Sequence, residues 1–279
     1  MRQYDFRLVN VFAESPLAGN PLCVFEDARD LDGATMQALA LQFNLSETTF
    51  ILPSAGASSR VRIFTPAFEM PFAGHPTLGT AHVIRDLLSA GNALTLEMTA
   101  GIIPVTAQGD VWTLQANLPV HRAPAASRGE LASMLGLEAT DLADAPALWV
   151  NTGSDQLVIP LASFAAVRRA VPRAESLLAH GSNDQPAMAY IFARERGHVL
   201  ARFFFPKQGS IIEDPGTGSA CANLGGWLLA TDATLPQQLT IDQGEAVGRS
   251  CRLGLEVTSD RRILVSGRVI EFGRGTVTL

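Results

Sequence analysis

The chain has 279 residues, of which 47% are hydrophobic, and a formal net charge of −6, which suits two domains of ordinary size with well-filled cores. The acidic balance argues against a nucleic-acid partner, which needs a basic face. No apolar run approaches the ~20 residues of a membrane span, and the charged opening Met1–Arg7 does not read as a secretory signal, so a soluble, cytoplasmic protein without a membrane partner is expected.

In chain order, Asp5–Phe12 alternates apolar and polar residues and reads as a strand, followed by a turn at Ala18–Pro21 and a second strand at Leu22–Phe25. Apolar residues at Leu31, Met36, Leu39, Ala40 and Phe43 have the spacing of an amphipathic helix. The chain returns to strand over Leu45–Leu52 and again at Arg60–Phe64. Glu47 stands in the first of these transitions, where a glutamate suits a residue that caps backbone groups or faces solvent.

A second helix is expected over Thr77–Ala90, with Pro76 near its first position, Gly91 after its end and His75 before it. Its apolar residues cover most of its circumference and Gly79 and Ala81 keep it slim, so it should be buried nearly all round, with His82 a satisfied core histidine. Short strands follow at Leu94–Met98, Ile102–Ala107 and Val111–Leu118. Beyond the connection His121–Ser127 come a helix (Glu130–Gly136), strands at Ala147–Val150 and Gln156–Pro160, and helical stretches at Phe164–Val171 and Ala174–Ala179. Strands at Ala187–Ala193 and Val199–Phe205, a slim helix over Gly218–Ala230 and closing strands at Leu239–Asp242, Gly254–Val257, Ile263–Ser266 and Val269–Phe272 complete the chain.

The two halves echo each other. Arg62–Pro66 and Arg202–Pro206 are both Arg-apolar-Phe-x-Pro strand ends, with arginines 140 residues apart. Each leads to a Gly-x-[Pro/Gly]-[Thr/Ser] helix start, at Gly74 and Gly216, 142 residues apart. Val9-Asn10 and Val150-Asn151 add a third pair at 141, and three landmarks in one order mark a duplication. The expectation is an α+β fold of two pseudo-symmetric domains, each a barrel-like sheet wrapped around its own central α-helix, which buries the helix and removes open strand edges. The domains are placed at 1–118, with strand 268–279 available to complete it, and at 119–267, with the active site in the cleft between them.

Each repeated loop ends at a helix N-terminus bearing glycine and a hydroxyl residue, Thr77 or Ser219. Free N–H groups and the positive end of the helix dipole can hold an anion there, although both hydroxyls also fit ordinary first-turn residues. Lys207 is the only lysine, which argues against Schiff-base chemistry. Gly216–Cys221 lacks the last glycine of a dinucleotide fingerprint and follows an acidic loop. The three cysteines, Cys23, Cys221 and Cys251, lie far apart without a C-x-x-C and read as buried thiols, not as a disulfide or zinc site. Neither a cofactor nor a metal is therefore expected.

Val9–Phe12 with Gly19–Pro21, Asn44–Phe50, Phe64–Pro66, Phe72–Gly79, Glu213–Ala220 and the closing Ile241–Glu245 together resemble the PhzF family of phenazine-biosynthesis-like isomerases. The resemblance implies the diaminopimelate epimerase-like fold, a homodimer and a cofactor-independent isomerase acting on a small anionic carboxylate, of the trans-2,3-dihydro-3-hydroxyanthranilate isomerase type. It implies that Glu47 moves the proton, that His75 and Asp214 position substrate and assist, and that Gly74, Gly218 and Ser219 offer donors. The related racemases use a cysteine before each repeated glycine; here Ala73 and Pro215 stand there, which counts against racemisation or epimerisation. A binding or interaction protein without turnover is the other alternative, and the presence of Glu47, His75 and Asp214 counts against it.

Overall fold

The computed structural model describes residues 1–182, 187–207 and 209–279. In chain order its elements are β1 (Gln3–Val11), β2 (Asn20–Phe25), α1 (Gly33–Phe43), β3 (Glu47–Leu52), β4 (Ser59–Phe64), β5 (Glu69–Met70), α2 (Gly74–Leu87), β6 (Ala93–Met98), β7 (Gly101–Gln108) and β8 (Val111–Gln115). They continue with β9 (Val120–Arg122), α3 (Arg128–Met134), β10 (Leu148–Asn151), β11 (Asp155–Pro160), α4 (Phe164–Arg169), α5 (Ala174–His180), β12 (Ala189–Glu195) and β13 (His198–Lys207). Last come β14 (Ser210–Asp214), α6 (Gly218–Ala230), β15 (Gln237–Gln243), β16 (Cys251–Val257) and β17 (Ile263–Thr278). The chain forms two compact units, Met1–Gln115 with Ser266–Leu279, and Ala116–Val265.

In the first unit the strands close into a ring, β1-β2-β3-β4-β6-β7-β8-β17 and back to β1. Helix α2 packs against β1, β2, β3, β4, β6 and β8, strands drawn from all round that ring, so it occupies the barrel interior. The close approach requires a helix residue without a side chain: a Cβ at Gly79 would lie 2.7 Å from Leu22 Cδ2 and 2.9 Å from Val11 Cγ2. Helix α1 packs on β3 and β4 through a layer that includes Met36, Phe25, Phe50 and Phe64. Asp32 caps it by accepting from the Thr35 N–H, and Asn44 ends it in the left-handed conformation that asparagine tolerates.

Six strand pairings of the second unit run in the same senses as six of the first. The pairs β1–β2, β2–β3, β3–β4, β4–β5, β4–β6 and β6–β7 run antiparallel, parallel, antiparallel, antiparallel, parallel and antiparallel. Their counterparts β10–β11, β11–β12, β12–β13, β13–β14, β13–β15 and β15–β16 run in the same senses. Helix α6 packs against β9, β10, β11 and β16. The two landmark arginines do the same work in each copy. Arg62 makes a two-pronged pair with Glu69 and lies over Phe64, and Arg202 does so with Glu213 and Phe204.

Several boundaries differ from the sequence expectation. Helix α2 begins at Gly74, not Thr77, so Pro76 is its third residue and His75 lies within its first turn. Proline is accepted there because a first-turn N–H has no intrahelical partner to lose. The two closing strands are one, β17, whose part from Val269 to Thr278 pairs with β1 with a bulge opposite Leu8 and Val9. His82 is half-buried; it accepts from Trp112 Nε1 at 3.4 Å. All three cysteines are buried and free, and burial raises their thiol pKa values. Among the described residues no helix is long and apolar enough to cross a membrane.

Candidate active site

In the first unit, Glu47 opens β3 directly beside Leu22 of β2, and His75 reaches the same place from the first turn of α2. His75 Nε2 lies 3.4 Å from Glu47 Oε2, and both side chains are largely buried. The imidazole hydrogen-bonds the Pro21 carbonyl. Because Nε2 is not the atom that makes this bond, Nδ1 donates it, and in the neutral ring Nε2 is left as an acceptor turned to the carboxyl group. Burial drives the His75 pKa down to about 3, against the opposing pull of the Pro21 carbonyl, so the ring is neutral at ordinary pH. A proton on Glu47 Oε2 is then the group that can bridge the two.

Gly74 is the first residue of α2, after an N-cap, Ala73, that has no side chain able to cap the helix. Thr77 turns back on its own helix: its hydroxyl donates to the Ala73 carbonyl at 2.7 Å and it is fully buried. The ordinary first-turn reading of Thr77 is the one realised.

In the second unit, Asp214 ends β14, and Gly218 and Ser219 are the first two residues of α6. Thr217 Oγ1 donates to Asp214 Oδ2 at 2.5 Å. Ser219 Oγ accepts from Gln156 Nε2 at 2.9 Å, so its own proton remains available to donate. Gln156 is held in turn by fully buried Asn223, whose Nδ2 donates to Gln156 Oε1 and to the Ser154 carbonyl, both at 2.8 Å. Asn223 Oδ1 accepts from the Thr152 N–H at 2.9 Å and from its hydroxyl at 2.7 Å. All four bonding positions of the Asn223 amide are filled, which fixes its orientation and, through Gln156, that of Ser219.

The structure thus brings Glu47, His75 and Gly74 to one end of α2, and Asp214, Gly218 and Ser219 to the start of α6. Sequence reading missed the polar side chains beneath these residues, Gln156, Asn223 and Gln243. The available signal was Asn223, a lone amide in the middle of an otherwise small and apolar helix.

A family model described as phenazine biosynthesis-like protein matches residues 9–275. The chain belongs to the PhzF family. It is 38% identical over 98% of its length to an uncharacterized isomerase of Pasteurella multocida, covering 93% of that protein. It is 35% identical over 99% of its length to the trans-2,3-dihydro-3-hydroxyanthranilate isomerase of Pseudomonas aeruginosa, covering all of it. A PhzF-family phenazine biosynthesis protein of Bacillus anthracis superposes over the whole of both chains with a TM-score of 0.90 at 27% identity. The fold is therefore the mixed α/β, barrel-containing fold of these proteins, and the chain is an isomerase of the PhzF family.

Proposed function

We propose that this enzyme shifts a proton within a small anionic carboxylate, in the manner of a trans-2,3-dihydro-3-hydroxyanthranilate isomerase, with Glu47 as the single acid/base and no cofactor. The observation that carries the reading is the Glu47–His75 pair, a buried carboxyl group facing an imidazole whose free nitrogen is an acceptor. In the forward step the Glu47 carboxylate takes a proton from one ring carbon, and the C–H electron pair moves into the adjoining π system. The same carboxyl group then returns the proton to another carbon of that system, so no proton is gained or lost overall. His75 Nε2 accepts the carboxyl proton's hydrogen bond between these steps. Asp214 positions the substrate, and the Ser219 hydroxyl with the Gly74 and Gly218 N–H groups donates to its carboxylate. The matching strand plans of the two units support the pseudo-symmetric, diaminopimelate epimerase-like description of the fold.

The test is to mix wild type and Glu47→Gln with trans-2,3-dihydro-3-hydroxyanthranilate and follow ultraviolet absorbance. Glu47→Gln keeps the shape and removes the proton carrier, so turnover should fall by about 10²–10⁴-fold while ligand affinity is retained. A Glu47→Gln enzyme as fast as wild type would overturn the assignment. Running the reaction in heavy water identifies the carbon that acquires deuterium, and exchange confined to a single stereocentre would make the enzyme a racemase instead.

A further inference from the structure

The reaction above gives no task to the motif Ile241–Glu245, whose Gln243 lies almost wholly buried at the end of β15. Its side-chain amide meets three groups of the loop that carries Asp214. Nε2 donates to the Asp214 carbonyl at 2.9 Å and to Thr217 Oγ1 at 3.0 Å, and Oε1 accepts from the Thr217 N–H at 3.3 Å. The directions follow from proton counting. The Thr217 hydroxyl has one proton and gives it to Asp214 Oδ2 at 2.5 Å, so toward Gln243 it can only accept. Reversing the amide would set its oxygen against the Asp214 carbonyl, so a single orientation satisfies every partner.

Two further features show that this loop is built around the carboxylate. Thr217 is the N-cap of α6, yet its side chain makes no capping bond to the helix. A threonine at that position ordinarily accepts from a first-turn N–H; here its Oγ1 serves Asp214 and Gln243 instead. Next to Gln243, Gly244 has φ +83°, and a Cβ there would lie 2.3 Å from the Arg249 carbonyl oxygen and 2.5 Å from that of Pro215. The absence of a side chain lets the Asp214–Thr217 backbone settle onto the end of β15.

We propose that Gln243 is a positioning residue for the reaction: it holds the Thr217 hydroxyl in the one orientation that donates to Asp214, and so fixes the direction in which that carboxylate presents itself to substrate. The proposal rests on the assignment of Asp214 to substrate handling given above.

The experiment compares Gln243→Leu, Thr217→Val and their double variant with wild type, using Asp214→Asn as reference and thermal melts to establish folding. Gln243→Glu is the second probe, because it keeps the shape and places an acceptor where the Asp214 carbonyl and Thr217 Oγ1 need a donor. Turnover of trans-2,3-dihydro-3-hydroxyanthranilate gives one readout. Titration of the Asp214 carboxyl carbon by NMR, assigned through Asp214→Asn, gives another that does not depend on the substrate. Gln243→Leu and Thr217→Val should each lower kcat/KM by about tenfold, the effect of one lost orienting hydrogen bond. Each should raise the Asp214 titration midpoint, and the double variant should do no more than either alone, since both act through one hydroxyl. A folded Gln243→Leu protein with the wild-type midpoint, or strictly additive effects, would overturn the proposal. Should Asp214→Asn retain full turnover, the reading of Asp214 fails instead, and the titration still decides whether Gln243 controls its carboxylate.

Discussion

His75 hangs from the carbonyl of Pro21, so a residue of β2 determines which nitrogen of an imidazole on α2 is turned to Glu47. Because burial lowers the His75 pKa to about 3 from the usual 6.5, the unfolded chain binds the extra proton more readily than the folded one. Stability from this group is complete above about pH 6.5 and is lost as pH falls toward about 3, with a limiting slope of about 1.4 kcal/mol per pH unit. In urea melts between pH 7 and pH 4 stability should fall more steeply in wild type than in His75→Gln, the difference approaching that slope at the acid end. Equal slopes would mean that the ring is not held neutral.

Gly79 maintains the distance between α2 and β2 on which the Pro21 contact depends. Gly79→Val sets side-chain atoms against Leu22 and Val11, and overpacking of this kind costs about 1–3 kcal/mol. Activity should fall by more than the lost stability explains, because His75 moves with the helix. Denaturant midpoints and kcat measured on the same preparation separate the two effects.

Asn223→Leu keeps the bulk of a fully buried side chain but strands the Thr152 N–H and hydroxyl, the Ser154 carbonyl and Gln156 Oε1. A destabilisation of at least about 2 kcal/mol is expected. With Gln156 released, Ser219 loses its fixed orientation and KM should rise more than kcat falls, which steady-state kinetics reads directly.

Arg7, 3% exposed on β1, pairs with Glu26, with Asp86 of α2 and with Glu271 of β17 at 2.6, 2.5 and 3.1 Å. Arg7→Met leaves these carboxylates facing one another without their cation, at a cost of roughly 2 kcal/mol, less than for a fully buried pair because Asp86 is more than half exposed. The Arg7 hydrogen bond holds the Asp86 pKa below its ordinary value, so this stabilisation is present above the ordinary aspartate range and fades as pH falls through the lowered one. The gap between variant and wild type in thermal melts should therefore narrow on acidification.

Part of the strand plan was legible through paired landmarks. Arg62 and Arg202 perform the same task on the same strand of each copy, and their spacing survives in the sequence. His75 was misplaced by a few residues because Pro76 reads as a helix opener, when proline is equally at home two positions further in. The roles of Gln156, Asn223 and Gln243 were not legible: Asn223 stood out only as an amide in an apolar helix, and Gln243 only as part of the Ile241–Glu245 motif. Each is a lone amide whose partners lie far away in sequence: 63 residues separate Gln156 from Ser219, and 26 separate Gln243 from Thr217. Local periodicity contains no information about such pairs; only the folded sheet does.

The strand that closes the first barrel, between β1 and β8, is made from Ser266–Thr278. A ribosome therefore releases the whole of Ala116–Val265 before supplying it. During synthesis β1 and β8 each present an unpaired edge, and α2 lies in an open trough, while the second unit already has all of its own sequence. The Glu47–His75 pair thus reaches its finished surroundings only after Ser266–Thr278 has been translated, later than the whole of the second unit.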